Sequence, residues 1–324
     1  MEMKSLCSKH LHDNFWVIAV LNNPCRYKKR VQLFKEFIER MQRYQVNVCV
    51  VEVAYGDRNF ETDDMDFPIK VQLRTNSVLW QKENMVNIGI SRLPKDWKYV
   101  AWIDTDIDFV NQNWVSETIH QLQHYSVVQL FEDSIDLGPN NEIMKTAKGF
   151  MYCYKNNIPR MIDIKHNCYY YTTKKKNGIY WHPGYAWAAT REAIDTTGGL
   201  FDSAILGSGD HHMACSLIGQ GQMSLPKDLS EDYKNHLYSW EKRALRLHKR
   251  VGYVKGTIYH FWHGKKANRK YKERWAIAIE NNYEPTTHIH KDWQGLTVFY
   301  EGYDKLRDDI MDYFHGRNED SIDL

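Results

Sequence analysis

The chain has 324 residues, 43% hydrophobic and 26% charged, with a formal net charge of +2. That is material for one large core or two adjoining ones, and the balance argues against a strongly basic nucleic-acid binder. Six scattered cysteines without a CxxC pair exclude a zinc cluster. With a polar leading segment and no apolar run near the roughly 18 residues of a membrane span, a soluble cytoplasmic protein with free thiols is expected.

In chain order, NFWVIAVLNN (14–23) predicts a buried strand and a turn. YKKRVQLFKEFIERMQRY (27–44) has apolar residues at helical spacing. VNVCVVEVAYG (46–56) and IKVQLRT (69–75) predict two more strands, separated by an acidic loop. LWQKENMVNIGISRLP (79–94) predicts a helix closed by Pro94, and KYVAWID the next strand. Strands alternating with helices predict a mostly parallel α/β sheet, whose ligands bind beyond the carboxyl ends of the strands.

The second half is less regular. A helix is expected over 115–125, a strand over 126–132 and a loop-rich stretch over 136–180. HPGYAWAATREAIDTTGGL (182–200) predicts a strand entering a short helix stopped by Gly198 and Gly199. Helices follow from Asp210 and over 231–251, the latter capped by Ser230, then a strand over 257–264. The polar tail GRNEDSIDL is expected to be peripheral.

Chemistry concentrates in three places. YVAWIDTDIDFV carries Asp104, Asp106 and Asp108, which would share one face of an extended strand. Carboxylates so crowded suit a hard divalent ion that also binds substrate phosphates, although they would serve equally as turn and helix-cap residues. HFWHGKKANRKYKER places His260 and His263 before a basic run. His260 is expected to be a packed strand residue, because an odd spacing points the two rings to opposite faces; His263, at the strand end, is free to reach a metal. Lys265 and Lys266 either contact phosphate or belong to a solvated face. In LGSGDHHMA, Asp210 opens a helix and either accepts a proton from an attacking hydroxyl or caps the helix. His211 and His212 diverge on a helix, which sets zinc aside.

In this order, over roughly Phe15 to Arg274, the pieces resemble the glycosyltransferases of the A-type (GT-A) fold. The likeness is to animal β-galactosyltransferases and polypeptide GalNAc-transferases, and closer still to bacterial and phage-encoded glycosyltransferase-like proteins. The resemblance implies a Rossmann-like, mixed, mostly parallel sheet flanked by helices, with a loop- and helix-rich acceptor-side half. It implies a domain over 1–278, divided at 110 into nucleotide-binding and acceptor or catalytic halves, and a helical extension with a polar tail over 279–324. Donor contacts carry over to Asn23, Pro24 and Arg26 in VLNNPCRYKKR, Glu52 in VVEVAYGD, Lys82 and Asn87 in WQKENMVNIGI, and Gly184 and Trp187 in HPGYAWAATREAIDTTGG. Metal contacts carry over to Asp106, to Asp104 (ribose or metal) and to His263, with Asp108 behind them. Asp210 is the expected base; if it matches the family's Glu, His211 takes that place.

The implied reaction moves a sugar, with inversion, from a nucleotide-diphosphate sugar (a UDP sugar being the family's commonest donor) to a hydroxyl, with Mn²⁺ or Mg²⁺. The acceptor is a glycan or a hydroxymethylated DNA base. The DNA alternative rests on the phage likeness and on the basic, aromatic stretches YYYTTKKKNGIYW and KKANRKYKERW. A nucleotidyltransferase using the same aspartates and a non-catalytic sugar-binding protein are the competing classes.

Overall fold

The computed structural model describes residues 12–160, 179–271 and 273–323. β1 (Phe15–Asn22) is apolar at nearly every position because both of its faces are covered. Phe15, Val17, Ala19 and Leu21 enter one core; Trp16 and Ile18 enter the other. The first core also holds Phe34, Phe37, Ile38 and Met41 of α1 (Lys28–Arg43). The second holds Met85, Val86 and Ile88 of α2 (Lys82–Ser91). The period of two in the strand thus sorts its side chains between two helical layers.

β1 pairs in parallel with β2 (Asn47–Tyr55) and with β4 (Tyr99–Ile103), and β2 pairs in parallel with β3 (Ile69–Thr75). Ile18 lies opposite Cys49 on one side and Trp102 on the other. Beyond β4 come β10 (Ala186–Thr190), β6 (Val127–Gln129) and β11 (Val251–Tyr253), giving the order β11-β6-β10-β4-β1-β2-β3. Only β10 runs against the others. The result is a mixed, mostly parallel α/β sheet flanked by helices, the architecture expected from the sequence.

A second, five-stranded sheet has the order β5-β12-β7-β8-β9. Its strands are β5 (Ile107–Phe109), β7 (Asp133–Leu137), β8 (Ile143–Gly149), β9 (Trp181–His182) and β12 (Thr257–His260). The chain steps from the large sheet to the small one at β4 to β5, β6 to β7 and β11 to β12, and returns at β9 to β10. Each step takes three residues: 104–106, 130–132, 254–256 and 183–185. The two sheets therefore share a seam crossed by four backbones, and the chemistry lies along it.

The folded chain departs from several sequence expectations. The strand over 126–132 leaves the large sheet after Gln129, whose side chain donates to His182 O and accepts from Met151 N–H. The loop-rich stretch contains the β7–β8 hairpin and α4 (Phe150–Lys155); β8 went unseen because its first four residues are exposed and unpatterned. The YYYTTKKKNG part of that stretch lies outside the described residues. The helix from Glu231 stops at Ala244, and the strand from Thr257 stops at His260.

The tail is not peripheral: Arg317 and Glu319 are 4% and 2% exposed. Before it, a hairpin of β13 (Ile289–Lys291) and β14 (Thr297–Phe299) docks on the start of α2, where Gln81 Nε2 donates to Thr297 O and Asn84 Oδ1 accepts from Thr297 N–H. No helix among the described residues is long and apolar enough to cross a membrane.

Candidate metal centre and active-site cleft

A cleft of about 370 Å³ opens where the carboxyl ends of β1 and β4 meet the seam. Lys82, Asp104, Asp106, Gly184, Asp210, His263 and Lys266, all expected site residues, line it. The three aspartates of YVAWIDTDIDFV do not share a face. β4 ends at Ile103, Asp104 N–H donates to Tyr185 O, and Ile107 N–H returns to Asp104 O in a turn. The turn sends the carboxylates three ways. Asp104 pairs with Lys82. Asp106 reaches His263 Nε2 at 2.8 Å and His260 Nε2 at 3.7 Å. Asp108 turns away to Tyr44 OH at 3.4 Å and Arg40 Nε at 3.9 Å.

His260 is therefore not a mere packing residue. The alternation that separates it from His263 holds only inside a strand, and β12 ends at His260. The next residue, Phe261, donates its N–H to Asp106 O, which bends the chain so that both rings meet one carboxylate. Asp106, His260 and His263 offer ligand atoms all within 4.8 Å of one another. Asp104 is outside this group. Asp106 Oδ1 is buried and has no hydrogen-bond partner among the described residues. An orphan carboxylate oxygen beside two imidazoles fits a divalent ion: it is costly without a partner and well placed with one. Three protein donors of mixed O and N type suit a first-row dication and leave positions for water or phosphate oxygens.

Electrostatics separates the neighbouring aspartates. Burial raises the Asp104 carboxyl, and Lys82 offsets this only in part. Burial also acts to raise Asp106, but His260 and His263 outweigh it and hold it well below the usual range. Lys82 is half-buried, yet Asp104, Asp210 and Glu83 outweigh the desolvation and keep it protonated. Glu83, 3% exposed, is pushed by burial up to about 8. Behind the rings lie further carboxylates. Asp136 Oδ1 is 3.0 Å from His260 Nδ1 and accepts from Tyr185 OH at 2.6 Å, and Lys266 pairs with its other oxygen. Tyr185 holds a left-handed φ of 79° and stacks on His182 and His260, with ring centroids 3.9 and 4.7 Å away. A tyrosine is rarely held at such a φ without surrounding constraint.

Asp210 stands in the first turn of α6 (Gly209–Leu217), after Ser208 at φ 78°. Its Oδ1 accepts the His211 N–H at 2.8 Å. A Cβ on Gly184 would sit 2.6 Å from Asp210 Oδ2, so glycine is what lets the carboxylate into this corner. His211 is 2% exposed, its proton affinity depressed by burial, and it does not line the cleft.

Other expected residues lie elsewhere. Asn23, Arg26 and Glu52 line an adjoining pocket of about 390 Å³ past the ends of β1 and β2. There Glu52 accepts from Glu61 N–H, Thr62 N–H and Thr62 OH, closing the acidic loop, and Asn23 brackets Tyr27. Pro24 O accepts from Arg58. Asn87 clamps the Leu200 backbone, Trp187 is buried and donates to Pro183 O, and Lys265 begins a 3₁₀ turn outside the cleft. Sequence reasoning missed His260 as a site residue, and with it Asp136, Tyr185, Glu83, Arg30 and Arg317; all line the cleft, as does Arg269 of the basic run. Only the histidine, in the quoted HFWH, carried a local signal.

No protein-family model matches the chain, and no curated protein matches it significantly. Among solved structures, it is similar to a Drosophila β1,4-galactosyltransferase 7 mutant complexed with manganese, UDP-Gal and xylobiose. Identity is 11%, over 90% of this chain and 97% of that one, with a TM-score of 0.40. It is also similar to the 4-diphosphocytidyl-2C-methyl-D-erythritol synthase of Anaerococcus prevotii, at 11% identity over 75% and 88% of the chains and a TM-score of 0.37. A third likeness is to a nucleotide-diphospho-sugar transferase of Desulfovibrio desulfuricans, at 10% identity over 92% and 96% and a TM-score of 0.34. Likenesses this distant carry no argument about substrate or chemistry.

Proposed function

We propose that this chain is a divalent-metal-dependent glycosyltransferase, moving a sugar from a nucleotide-diphosphate donor, UDP-linked in the first instance, to an acceptor hydroxyl. The observation that carries the reading is the Asp106, His260 and His263 group, with its orphan carboxylate oxygen, in one cleft with Asp210 and several cations. Mn²⁺ or Mg²⁺ held by these three side chains would neutralise charge developing on the leaving diphosphate. Lys82 and the cleft-lining arginines hold the phosphates and exclude alternative poses. Asp210 takes the proton of the acceptor hydroxyl. The acceptor oxygen then bonds to the anomeric carbon, the bond from that carbon to the diphosphate oxygen breaks, and its electron pair leaves with the nucleoside diphosphate. Attack opposite the leaving group inverts the anomeric centre.

A glycan acceptor is favoured by the rings of Trp80 and Tyr271 along the cleft. Most of one basic stretch behind the DNA alternative falls outside the described residues. The test is a panel of nucleotide sugars incubated with and without Mn²⁺, followed by glycan and hydroxymethylated-DNA acceptors. Expected is slow, chelator-sensitive donor hydrolysis that quickens with a glycan. Pyrophosphate release from a nucleoside triphosphate would identify a nucleotidyltransferase instead. No turnover of any donor, with metal-independent ligand binding, would identify a binding protein.

A further inference from the structure

Residues 317–321 return to the cleft from behind. Glu319 is 2% exposed and accepts from three groups: Arg30 Nε at 2.9 Å, Arg30 Nη2 at 2.5 Å and Arg317 Nε at 2.6 Å. Its Oε2 also lies 3.7 Å from His263 Nδ1. Arg30, Arg317 and His263 all line the cleft. One buried carboxylate thus sits behind two cleft-lining guanidiniums and one imidazole of the candidate metal group.

The segment that delivers it is pinned independently of Glu319. Asp320 accepts the N–H groups of Lys28 and Lys29, the first turn of α1, whose own N-cap residue Tyr27 offers no side-chain bond. Tyr27 OH donates to Phe314 O and His315 O and accepts from Asn318 N–H. Trp262 Nε1 donates to Ser321 O. Gly264, next to His263, has φ 82°, and a Cβ there would meet Asn318 O at 2.7 Å and Glu319 Cα at 3.0 Å. The metal loop and the tail are nested backbone to backbone.

On the reading of the cleft as a divalent-metal site, we infer that Glu319 is a positioning residue for it. Arg269 Nη2, 2.7 Å away, and Asp106 both converge on His263 Nε2. A guanidinium only donates, so Nε2 accepts from Arg269 and the ring proton lies on Nδ1, the side facing Glu319. From 3.7 Å the Glu319 charge favours that tautomer electrostatically and, through the same carboxylate, hydrogen bonds aim Arg30 and Arg317 into the cleft. A glutamine has one acceptor oxygen and no charge for a site with three guanidinium donors and the nearby imidazole around it, so it cannot satisfy them.

The test titrates Mn²⁺ alone into the full chain, reading free ion by electron paramagnetic resonance, and records the imidazole nitrogen spectrum. Wild type is expected to bind Mn²⁺ and show His263 protonated at Nδ1. Glu319→Gln, folded by circular dichroism, is expected to weaken Mn²⁺ binding about 10–100-fold and to lose that tautomer. Asp320→Asn, which alters the same tail away from the ring, is expected to change affinity less than threefold. Should Glu319→Gln fail to fold, Glu319→Asp is read instead, with a loss of about tenfold expected because the shorter carboxylate withdraws from the ring. Wild-type affinity in the Glu319 variant, or an equal loss in Asp320→Asn, overturns the inference while leaving the metal reading intact. Absence of Mn²⁺ binding by wild type overturns both.

Discussion

The two walls of the cleft use the same carboxylates in different ways. On the large-sheet wall, Asp104 faces Lys82, and Glu83 sits buried beside them and near Asp210. On the small-sheet wall, Asp106 faces two imidazoles, each with a second carboxylate on its far side, Asp136 for His260 and Glu319 for His263. The first wall balances charge within the protein and raises the proton affinity of Asp104. The second lowers that of Asp106 and leaves one of its oxygens unmatched. Two aspartates two positions apart thus acquire opposite characters, and the difference comes from what lies opposite, not from the D-x-D spacing.

That contrast can be broken first at Asp106. Asp106→Asn is expected to abolish measurable Mn²⁺ binding and to lower donor turnover by at least about a thousandfold, whereas Asp104→Asn should leave Mn²⁺ affinity within tenfold. Equal losses of metal from both variants, by titration calorimetry, would return the two walls to one role. Asp210→Asn comes next. It is expected to cost about 10²–10⁴ in kcat for transfer with Mn²⁺ affinity unchanged, the signature of a lost proton acceptor. A matching loss of metal affinity in that variant would place Asp210 on the metal side instead.

The smallest expected effect sharpens the large-sheet wall. Glu83 is held protonated by burial up to about 8, above its ordinary 4.5. A carboxyl raised on folding favours the folded state below the unfolded value, and stability falls as pH rises from about 4.5 towards 8. Glu83→Gln removes that loss. The variant should therefore match wild type in thermal unfolding near pH 4 and exceed it increasingly up to pH 8, by on the order of 4 kcal/mol. A stability difference that does not grow with pH would mean that Glu83 ionises freely in the folded chain.

The large sheet was legible in the sequence because its strands are buried on both faces and its helices keep apolar spacing; 69–75 was placed to the residue. Of the small sheet only β12 was, from its start at Thr257; β8 is exposed, and β5, β7 and β9 are two to five residues long. At the site, Asp106, His263 and Asp210 stood out by composition and position. His260 was misjudged because strand parity was applied past the strand's end. Glu319 gave no local signal at all: a glutamate in a polar tail gains its role from Arg30, 289 positions earlier. Such long-range pairing is a property of the folded chain and leaves no trace in spacing or periodicity.

The seam between the sheets has a mechanical consequence. Asp104 and Asp106 belong to one crossing, Gly184 and Tyr185 to another, while His260 and His263 hang from the small sheet where β12 ends. His260 pairs with Ile107, and Phe261 N–H holds Asp106 O, so any scissoring of one sheet against the other would carry Asp106, His260 and His263 together, past Lys82 and Asp210 on the large sheet. A cation held by those three would ride with the small sheet like a pin set in one jaw, and the spacing of the two sheets would set its distance from Asp210.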